Sequence, residues 1–565
     1  MSALLRSKPF RLTTAALLAL ALAAGAAPAA TITIVNLDGA GEGFNDPTVV
    51  APVGGNPGTT IGAQRLFVFQ HAASIWGGIL LSDVTILVNA KFDPLSCTAT
   101  SGVLGSAGPV SVFRDFGGAP FSFTWYHVAL ANKLAGVDLS GSSDITATFN
   151  SGIGGATCLP TGWYYGIDGN EGSQIELLPV VLHELGHGLG FSTVTSGTSG
   201  AYLGGFPSVY DRFLLDLNNG LHWNEMSDAQ RVASAINCRK LVWDGPNSTL
   251  HAGDFLGSKP LLKVNAPGGI AGEYEVGLAT FGAALTTTGI TGDVVLADDG
   301  VGTTSDGCEA LINAGAVSGK IAIIDRGTCT FAVKVKNAQN AGAIGVIIAD
   351  NVAGCPPAGM SGTDATITIP SVRVTQSDGA LLKVNIASGL NVTLKVDATR
   401  LAGTDPLGRV MAYTPNPFQS GSSVSHWDTS AEPSLLMEPS ITSTLSSSVD
   451  LTRNHFADIG WFQGGLAAGP AAVPAARLGA SYPNPAPAGA TIDYALDREV
   501  VVELAVYDLR GRLVNRLVQG RVQAGSHSVK WDGRDAAGRA MPTGIYLYRL
   551  RTPSVQESRP LALVR

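Results

Sequence analysis

Apolar and polar positions in the first third of the chain indicate a mixture of helices and strands. Residues 62–81 carry apolar side chains every three or four positions, which is typical of one helix face, whereas residues 144–150 alternate as a half-buried strand does. Residues 84–92 are predicted as a further strand. Residues 173–191 are predicted as a helix whose regular part begins near Pro179, because proline is tolerated only in the first helical turn.

A different pattern runs from residue 259 to residue 398. The segments GDVVLADDG, GKIAIIDRG and IGVIIADN contain short apolar runs bounded by turn residues, and FAVKVKNAQNAGA has helical spacing. The order strand, strand, helix, strand predicts a compact α/β unit with its own core. Because this unit separates two stretches that carry candidate chemistry, we interpret it as an insertion into the domain that flanks it.

The last part of the chain is predicted to be a small β-sandwich. Residues 463–477 are rich in Ala, Gly and Pro, which is typical of a linker. In residues 478–565, strand-like runs such as VVVELAVYDL and GIYLYRL are separated by turn residues, and no helical spacing occurs among them.

Length, charge and the N-terminal sequence limit the class of protein. A chain of 565 residues is too long for one core, and a net charge of −8 with no Lys/Arg cluster argues against a nucleic-acid partner. Residues 1–30 combine basic, apolar and small residues in the order of a secretory signal peptide. No later stretch is apolar over the roughly 18 residues that a membrane span needs, so we expect a secreted or cell-surface protein without a transmembrane segment.

Six cysteines in an exported chain favour disulfide bonds. Several pairings are compatible with the sequence alone. We favour the pairs Cys97–Cys158, Cys308–Cys329 and Cys238–Cys355.

The strongest chemical motif is HELGH, residues 183–187. Residues four apart share one face of a helix, so His183 and His187 can bind one metal ion together. Zinc prefers such imidazole ligands in tetrahedral geometry. Glu184 lies beside them and can accept a proton from a water molecule that the metal activates, which is the chemistry of a zinc peptidase.

The motif leaves the third protein ligand unassigned. Metzincins continue it as H-E-x-x-H-x-x-G-x-x-H, but Thr193 occupies the last position here and a hydroxyl is a poor zinc ligand. Glu225, in HWNEMSD, is a candidate of the kind used by thermolysin-like enzymes, although an amphipathic surface helix explains that stretch better. The remaining candidates are histidines outside the motif, namely His222, His251, His426 and His455.

The sequence resembles the leishmanolysin family of metzincins. HELGHGLGF is followed, after a long insertion, by SHWD and LMEP, and the resemblance covers roughly residues 60–250 and 400–462. It implies that His426 is the third zinc ligand and that Met437 packs beneath the metal. It further implies that the strand at residues 144–150 forms the edge of the substrate cleft.

Two further roles stay open beside less specific ones. Asp428 is a candidate for orienting a ligand imidazole, with a solvated loop carboxylate as the alternative. Tyr413 is near His426 in sequence and is a candidate for polarising the scissile carbonyl, with an ordinary strand residue as the better alternative.

The insertion and the C-terminal part also resemble known modules. The insertion is similar to protease-associated (PA) domains, which implies a non-catalytic, substrate-selecting role; the matching residues are Gly319, Lys320, Ile321, Asp325, Arg326, Gly327, Cys329, Phe331, Lys334, Ala338, Gln339, Gly342 and Ala343. The C-terminal part resembles the Ig-like modules of FlgD and of type IX secretion. That resemblance implies contact with the cell surface or with the secretion machinery.

The sequence therefore predicts an α+β multidomain protein in which an α/β PA domain (259–398) splits a metzincin-like peptidase (31–258 and 399–462). We predict a secreted zinc endopeptidase that acts on protein or peptide substrates, with His183, His187 and His426 as ligands and Glu184 as base. Two alternatives remain. One is a non-catalytic binding or adhesion protein on a peptidase scaffold, and the other is a peptidase whose third ligand is Glu225.

Overall fold

The computed structural model describes residues 29–440, 448–462, 476–482, 486–487, 489–496, 500–508, 510–523, 525–552 and 556–564. The predicted signal peptide thus lies, up to residue 28, outside the described residues, as does the predicted linker up to residue 475. Among the helices that are described, none is long and apolar enough to cross a bilayer.

The chain before the insertion forms a small sheet covered by helices. Its elements are β1 (Ile32–Asn36), α1 (Ile61–Ile79), β2 (Ile86–Asp93), β3 (Gly105–Pro109), β4 (Val112–Phe113), β5 (Tyr126–His127), α2 (Val128–Ala135), β6 (Ile145–Asn150), β7 (Trp163–Tyr164), β8 (Ile175–Glu176), α3 (Leu177–Leu189), β9 (Leu214–Asp216), α4 (Asp228–Ser234), β10 (Leu241–Trp243) and α5 (Pro246–Phe255). The main sheet has the order β1-β2-β6-β3; the first three strands are parallel and β3 is antiparallel to β6.

This strand order corrects the expectation for residues 144–150. β6 lies inside the sheet, between β2 and β3, so its backbone groups are already paired on both sides. The edge strand is β3, and it runs beside α3. Its sequence, GSAGP, has no alternation of large apolar residues and gave no strand signal.

The inserted unit is built on one eight-stranded sheet. Its elements are β11 (Ser258–Ala266), β12 (Gly272–Tyr274), β13 (Gly277–Leu278), β14 (Ile290–Leu296), α6 (Ala314–Val317), β15 (Ile321–Asp325), α7 (Phe331–Asn340), β16 (Gly345–Ala349), β17 (Ser371–Val374), α8 (Gln376–Val384) and β18 (Asn391–Leu401). The order is β12-β11-β18-β14-β15-β16-β17-β13. The strands at which the chain enters and leaves, β11 and β18, pair with each other, with Ser258 opposite Leu401. The chain therefore enters and leaves the inserted unit at neighbouring points, so the flanking segments can continue as one domain.

After the insertion the chain rejoins the first core through β19 (Val410–Met411) and α9 (Thr452–Ile459). The Trp76 and Phe456 rings lie 5.1 Å apart, and the Trp461 indole N–H donates to the Leu189 carbonyl at 2.9 Å. Segments on both sides of the insertion therefore share one hydrophobic core.

The C-terminal strands form two antiparallel sheets with a separate core. They are β20 (Ala476–Tyr482), β21 (Ala490–Leu496), β22 (Val500–Asp508), β23 (Leu513–Val522), β24 (Gly525–Trp531), β25 (Gly544–Arg551) and β26 (Gln556–Leu563). The orders are β20-β21-β24 and β23-β22-β25-β26, around Trp531, Tyr548 and Leu504. The first strand begins within the residues predicted as linker.

All three favoured disulfide pairings are confirmed: Cys97–Cys158, Cys238–Cys355 and Cys308–Cys329. The second joins the flanking domain to the insertion. The other two close loops within one domain each.

Candidate metal centre

Helix α3 places His183 and His187 one turn apart on the same face. Every residue of α3 is buried, so the packing of neighbouring residues fixes the side chains of the two histidines. Their Nε2 atoms lie 3.0 Å apart. Pro179 is the third residue of α3, where its missing N–H is not needed.

His426 reaches the same point from the chain that follows the insertion. Its Nε2 lies 3.2 Å from the Nε2 of His183 and 3.2 Å from that of His187. Like the other two, it is buried. The structure thus brings together three histidines that are separated by up to 243 positions in the sequence.

The second nitrogen of each ring fixes which atom faces the centre. The three Nδ1 atoms lie 2.7–2.8 Å from backbone carbonyl oxygens, those of Leu436 for His183, Phe191 for His187 and Ser422 for His426. A carbonyl can only accept, so each Nδ1 carries the proton and each Nε2 presents a lone pair. Burial lowers the pKa of His183 to about 4, and burial with the neighbouring His183 lowers that of His187 to about 3, so the rings are neutral near pH 7.

Three converging lone pairs repel each other unless a cation lies between them. Tetrahedral zinc with nitrogen ligands at 2.0–2.1 Å separates its ligand atoms by about 3.3–3.4 Å. The observed separations of 3.0–3.2 Å are close to that value. The donor set therefore fits a zinc ion with three protein ligands and an open fourth position.

Met437 packs beneath this centre. It is fully buried, and a Cβ added at Gly186, between the two helical histidines, would lie 2.7 Å from the Met437 Sδ. The Trp427 N–H donates to the Met437 carbonyl at 2.9 Å, which ties the methionine to the residue after His426. A soft apolar side chain thus forms the floor of the site.

Glu184 lies on the open side. Its side chain is buried, and burial raises the pKa of this carboxyl to about 8, opposed only by a hydrogen bond with the backbone of Ala107 on β3. Elevated carboxyl pKa values from desolvation are typical of groups that exchange protons in catalysis.

Glu184 and the three histidines line an open cleft of about 1130 Å³. The cleft is lined by the edge strand and the chain leading to it, residues 102–107, and by residues 420–422, 425–426 and 438–440. Ser361 of the inserted domain also lines the cleft. Its contribution was not visible in the sequence, because nothing in the motif pattern indicates which face of the insertion meets the flanking domain.

The other candidate ligands lie elsewhere. Thr193 Oγ1 donates to Asp211 at 2.6 Å, His251 contacts Asp254 at 2.7 Å, and His455 is enclosed by aromatic rings. Glu225 is exposed, and its carboxylate accepts from the backbone N–H of His222 at 2.9 Å. Among the described residues, Glu225 belongs to no group of ligand atoms that could share a metal, so the structure gives the alternative of a Glu225 site no support.

Asp428 and Tyr413 do not have the roles considered for them. The Asp428 carboxylate accepts from Arg239 Nε at 3.1 Å and from Ser430, not from an imidazole, and backbone carbonyls orient the histidines instead. The Tyr413 hydroxyl lies 3.2 Å from the Gln419 side chain, and its backbone N–H donates to the His426 carbonyl. Tyr413 therefore supports the ligand segment as a strand-like neighbour.

Comparison with known proteins identifies two of the modules. The family model of the PA domain matches residues 290–382, and that of the FlgD Ig-like domain matches residues 486–554. The chain is 32% identical to vacuolar-sorting receptor 3 of Arabidopsis thaliana over 161 residues, 26% of either chain. It is 38% identical to the probable lipoprotein aminopeptidase LpqL of Mycobacterium tuberculosis over 97 residues, 17% of this chain and 19% of that protein.

Among solved structures, the chain is similar to BSAP, a zinc aminopeptidase from Bacillus subtilis. The identity is 28% and the TM-score 0.20, over 25% of this chain and 31% of the aminopeptidase. The match to vacuolar-sorting receptor 3 covers only about a quarter of the length of that curated relative. The chain is a multidomain protein that contains a PA domain and a FlgD-like Ig domain.

Proposed function

We propose that this chain is a secreted, zinc-dependent endopeptidase. The observation that carries the proposal is the convergence of three neutral imidazole Nε2 atoms within 3.2 Å of one another, beside a buried glutamate in an open cleft. His183, His187 and His426 would hold the zinc. Glu184 would be the general base.

The chain's own residues divide the chemistry among them. When bound, zinc would supply Lewis acidity for a water molecule and for the scissile carbonyl. Glu184 would take the proton of that water and later deliver it to the leaving amine. The backbone carbonyls at the three Nδ1 atoms keep the imidazoles in the tautomer that binds metal.

A metzincin-like type of active site is favoured over other zinc peptidases. Support comes from Met437 beneath the histidines, from a third ligand supplied by a distant segment, and from the antiparallel edge strand β3 along the cleft. Together with the resemblance to leishmanolysins, this supports one peptidase domain formed by residues 31–258 and 399–462. The inserted domain would flank its cleft and influence which substrates enter.

Endopeptidase activity is favoured because the lining of the open cleft extends beyond the histidines to residues 102–107, 420–422 and 438–440, which leaves room for an extended peptide. Extended peptides can then pair with β3 as an additional strand. The curated relatives with aminopeptidase names are matched over less than a fifth of their length. A peptide blocked at both ends distinguishes the two activities, since only an endopeptidase cleaves it.

The test of the mechanism is Glu184→Gln. We expect the variant to retain one zinc per chain and to lose at least about 100-fold in kcat on a blocked peptide, because the base is gone while the ligands remain. Zinc content by atomic emission and cleavage rates are measured on the same preparation. Full activity of the variant would exclude the proposed base.

The competing proposal is a non-catalytic adhesion protein on a peptidase scaffold. It predicts that the parent chain, loaded with zinc, cleaves no peptide and that adding a chelator does not alter this result. The buried Glu184 beside the histidines argues against it, since a scaffold has no use for a desolvated carboxyl. The Ig-like module would contact the cell surface or the secretion machinery in either case.

A further inference from the structure

Arg239 connects the inserted domain to the segment that carries His426. It directly follows Cys238, which is disulfide-bonded to Cys355 of the insertion. Its backbone has φ = +57°, in the left-handed region that non-glycine residues rarely adopt. The chain turns there, just before β10.

The Arg239 guanidinium lies between two carboxylates from different parts of the fold. Its Nε donates to Asp428 Oδ1 at 3.1 Å, and its Nη1 donates to Glu275 of the inserted domain. Glu275 also accepts from Lys259, on β11, at 2.7 Å. One buried arginine thus bridges the two domains.

Asp428 depends on this arginine. It is 1% exposed, and Arg239 is the cation that contacts it among the described residues. Its second oxygen, Oδ2, is buried and has no hydrogen-bond partner in the described part of the chain. A buried carboxylate without its counter-ion is costly, because its charge is neither solvated nor paired. The side chain would move towards solvent and displace the backbone that carries it.

That backbone is the His426 segment. Asp428 lies two residues after His426, and its N–H donates to Met411 at 2.9 Å, while the Tyr413 N–H donates to the His426 carbonyl at 2.8 Å. The segment is therefore held like a short strand on β19, with Asp428 as its far end. A shift at Asp428 is transmitted to the imidazole through a single intervening residue, Trp427.

We propose that Arg239 is a positioning residue for the third metal ligand: by holding Asp428 against Glu275 of the inserted domain, it keeps His426 in reach of His183 and His187. The inserted domain then contributes to metal retention as well as lining the cleft. This inference rests on the proposed zinc site.

The test measures zinc release from the full chain to a chromophoric chelator. We expect Arg239→Met to release zinc about 10-fold faster than the parent, the lower end of what loss of residues supporting metal ligands costs. Arg239→Lys should restore part of the retention, since lysine keeps the charge but cannot bridge both carboxylates in fixed geometry. Glu275→Gln, a milder change at the half-buried end of the bridge, should release zinc faster than the parent but more slowly than Arg239→Met.

The matched control is Arg409→Met. Arg409 contacts the buried Asp405 at 2.6 Å in the same returning part of the chain, and within the described ranges it has no ion pair with the insertion or with Asp428. We expect its zinc release to equal that of the parent. Circular dichroism confirms that each variant is folded, and Glu275→Gln decides the question if Arg239→Met is not.

A second readout separates positioning from general stabilisation. In a His426→Ala background, Arg239→Met should have no further effect on zinc release, since the ligand it positions is gone. An equal acceleration in both backgrounds, or no acceleration in either Arg239→Met or Glu275→Gln, would overturn the inference while leaving the zinc site intact. If the parent and His426→Ala retain zinc equally, the proposed function fails, and this inference falls with it.

Discussion

At the scale of single residues, His455 is a buried histidine that does not belong to the candidate metal centre. His455 is fully buried among the rings of Phe191, Trp243 and Trp427. Burial holds its pKa well below the usual value, so it stays neutral in the folded chain. Such a residue supports the core only while it is uncharged.

This predicts a specific acid sensitivity. In the unfolded chain His455 binds a proton below about pH 6.5, whereas the buried ring in the folded chain does not. Acid therefore favours the unfolded chain: this histidine does not lower the free energy of unfolding above about pH 6.5 and lowers it increasingly as the pH falls below that value. His455→Phe removes that linkage. Between pH 7 and pH 5 we expect the free energy of unfolding of the variant to fall by about 2 kcal/mol less than that of the parent.

Urea unfolding at constant zinc across this range is the measurement. The control is His71→Phe, at a half-buried histidine of α1 whose ring stacks on Phe67. Parallel curves for the parent and His455→Phe would show that His455 is protonated in the folded chain.

At the scale of elements, the contact between α3 and β6 sets the position of the two helical histidines. Gly188, the residue after His187, lies directly on β6, and a Cβ there would come within 2.5–2.8 Å of the Ile145 side chain. Ile145 is fully buried, and the clash would involve the branched part of its side chain as well as its tip. A methyl group at position 188 must therefore push the helix off the sheet.

We expect Gly188→Ala to lower the free energy of unfolding by about 1–3 kcal/mol, the usual cost of overpacking a core, despite the better helix propensity of alanine. The matched control is Gly78→Ala in α1, where a Cβ would meet nothing within 4 Å and alanine should stabilise by up to about 1 kcal/mol. Chemical unfolding of both variants measures whether the free energy of unfolding falls for Gly188→Ala and rises for Gly78→Ala. Equal effects would mean that α3 does not lie as closely on β6 as described.

The sequence anticipated elements where the pattern was strong and missed those where packing decides. The helix predicted at 62–81 is α1, Ile61–Ile79, because apolar spacing reports directly on a buried face. β3 was missed since its short, glycine-rich sequence becomes a strand only through pairing with β6. Likewise, His426 could be proposed from a motif, but the orienting groups are backbone carbonyls, which no side-chain pattern reveals.

At the scale of the whole molecule, the first hydrophobic core is discontinuous in sequence, while that of the C-terminal sandwich is not. Residues on both sides of the insertion, among them Trp76, Leu189 and Trp461, belong to one hydrophobic cluster, whereas the cluster around Trp531 contains only residues beyond 476. Removing the C-terminal sandwich should therefore leave the first core intact, whereas removing the segment after the insertion should disrupt it.

A chain ending at residue 462 should bind zinc and cleave a blocked peptide as the full chain does, because it keeps the whole first core and all three histidines. A chain ending at residue 402 should bind zinc weakly and fail to fold its first domain, since it lacks Phe456, Trp461 and Met437 as well as His426. His426→Ala within the 462-residue chain separates the two losses, as it removes one ligand and leaves the core. Zinc content and thermal unfolding of the three chains are compared, and a 402-residue chain that retains zinc as the longer one does would show that the metal is held without the returning segment.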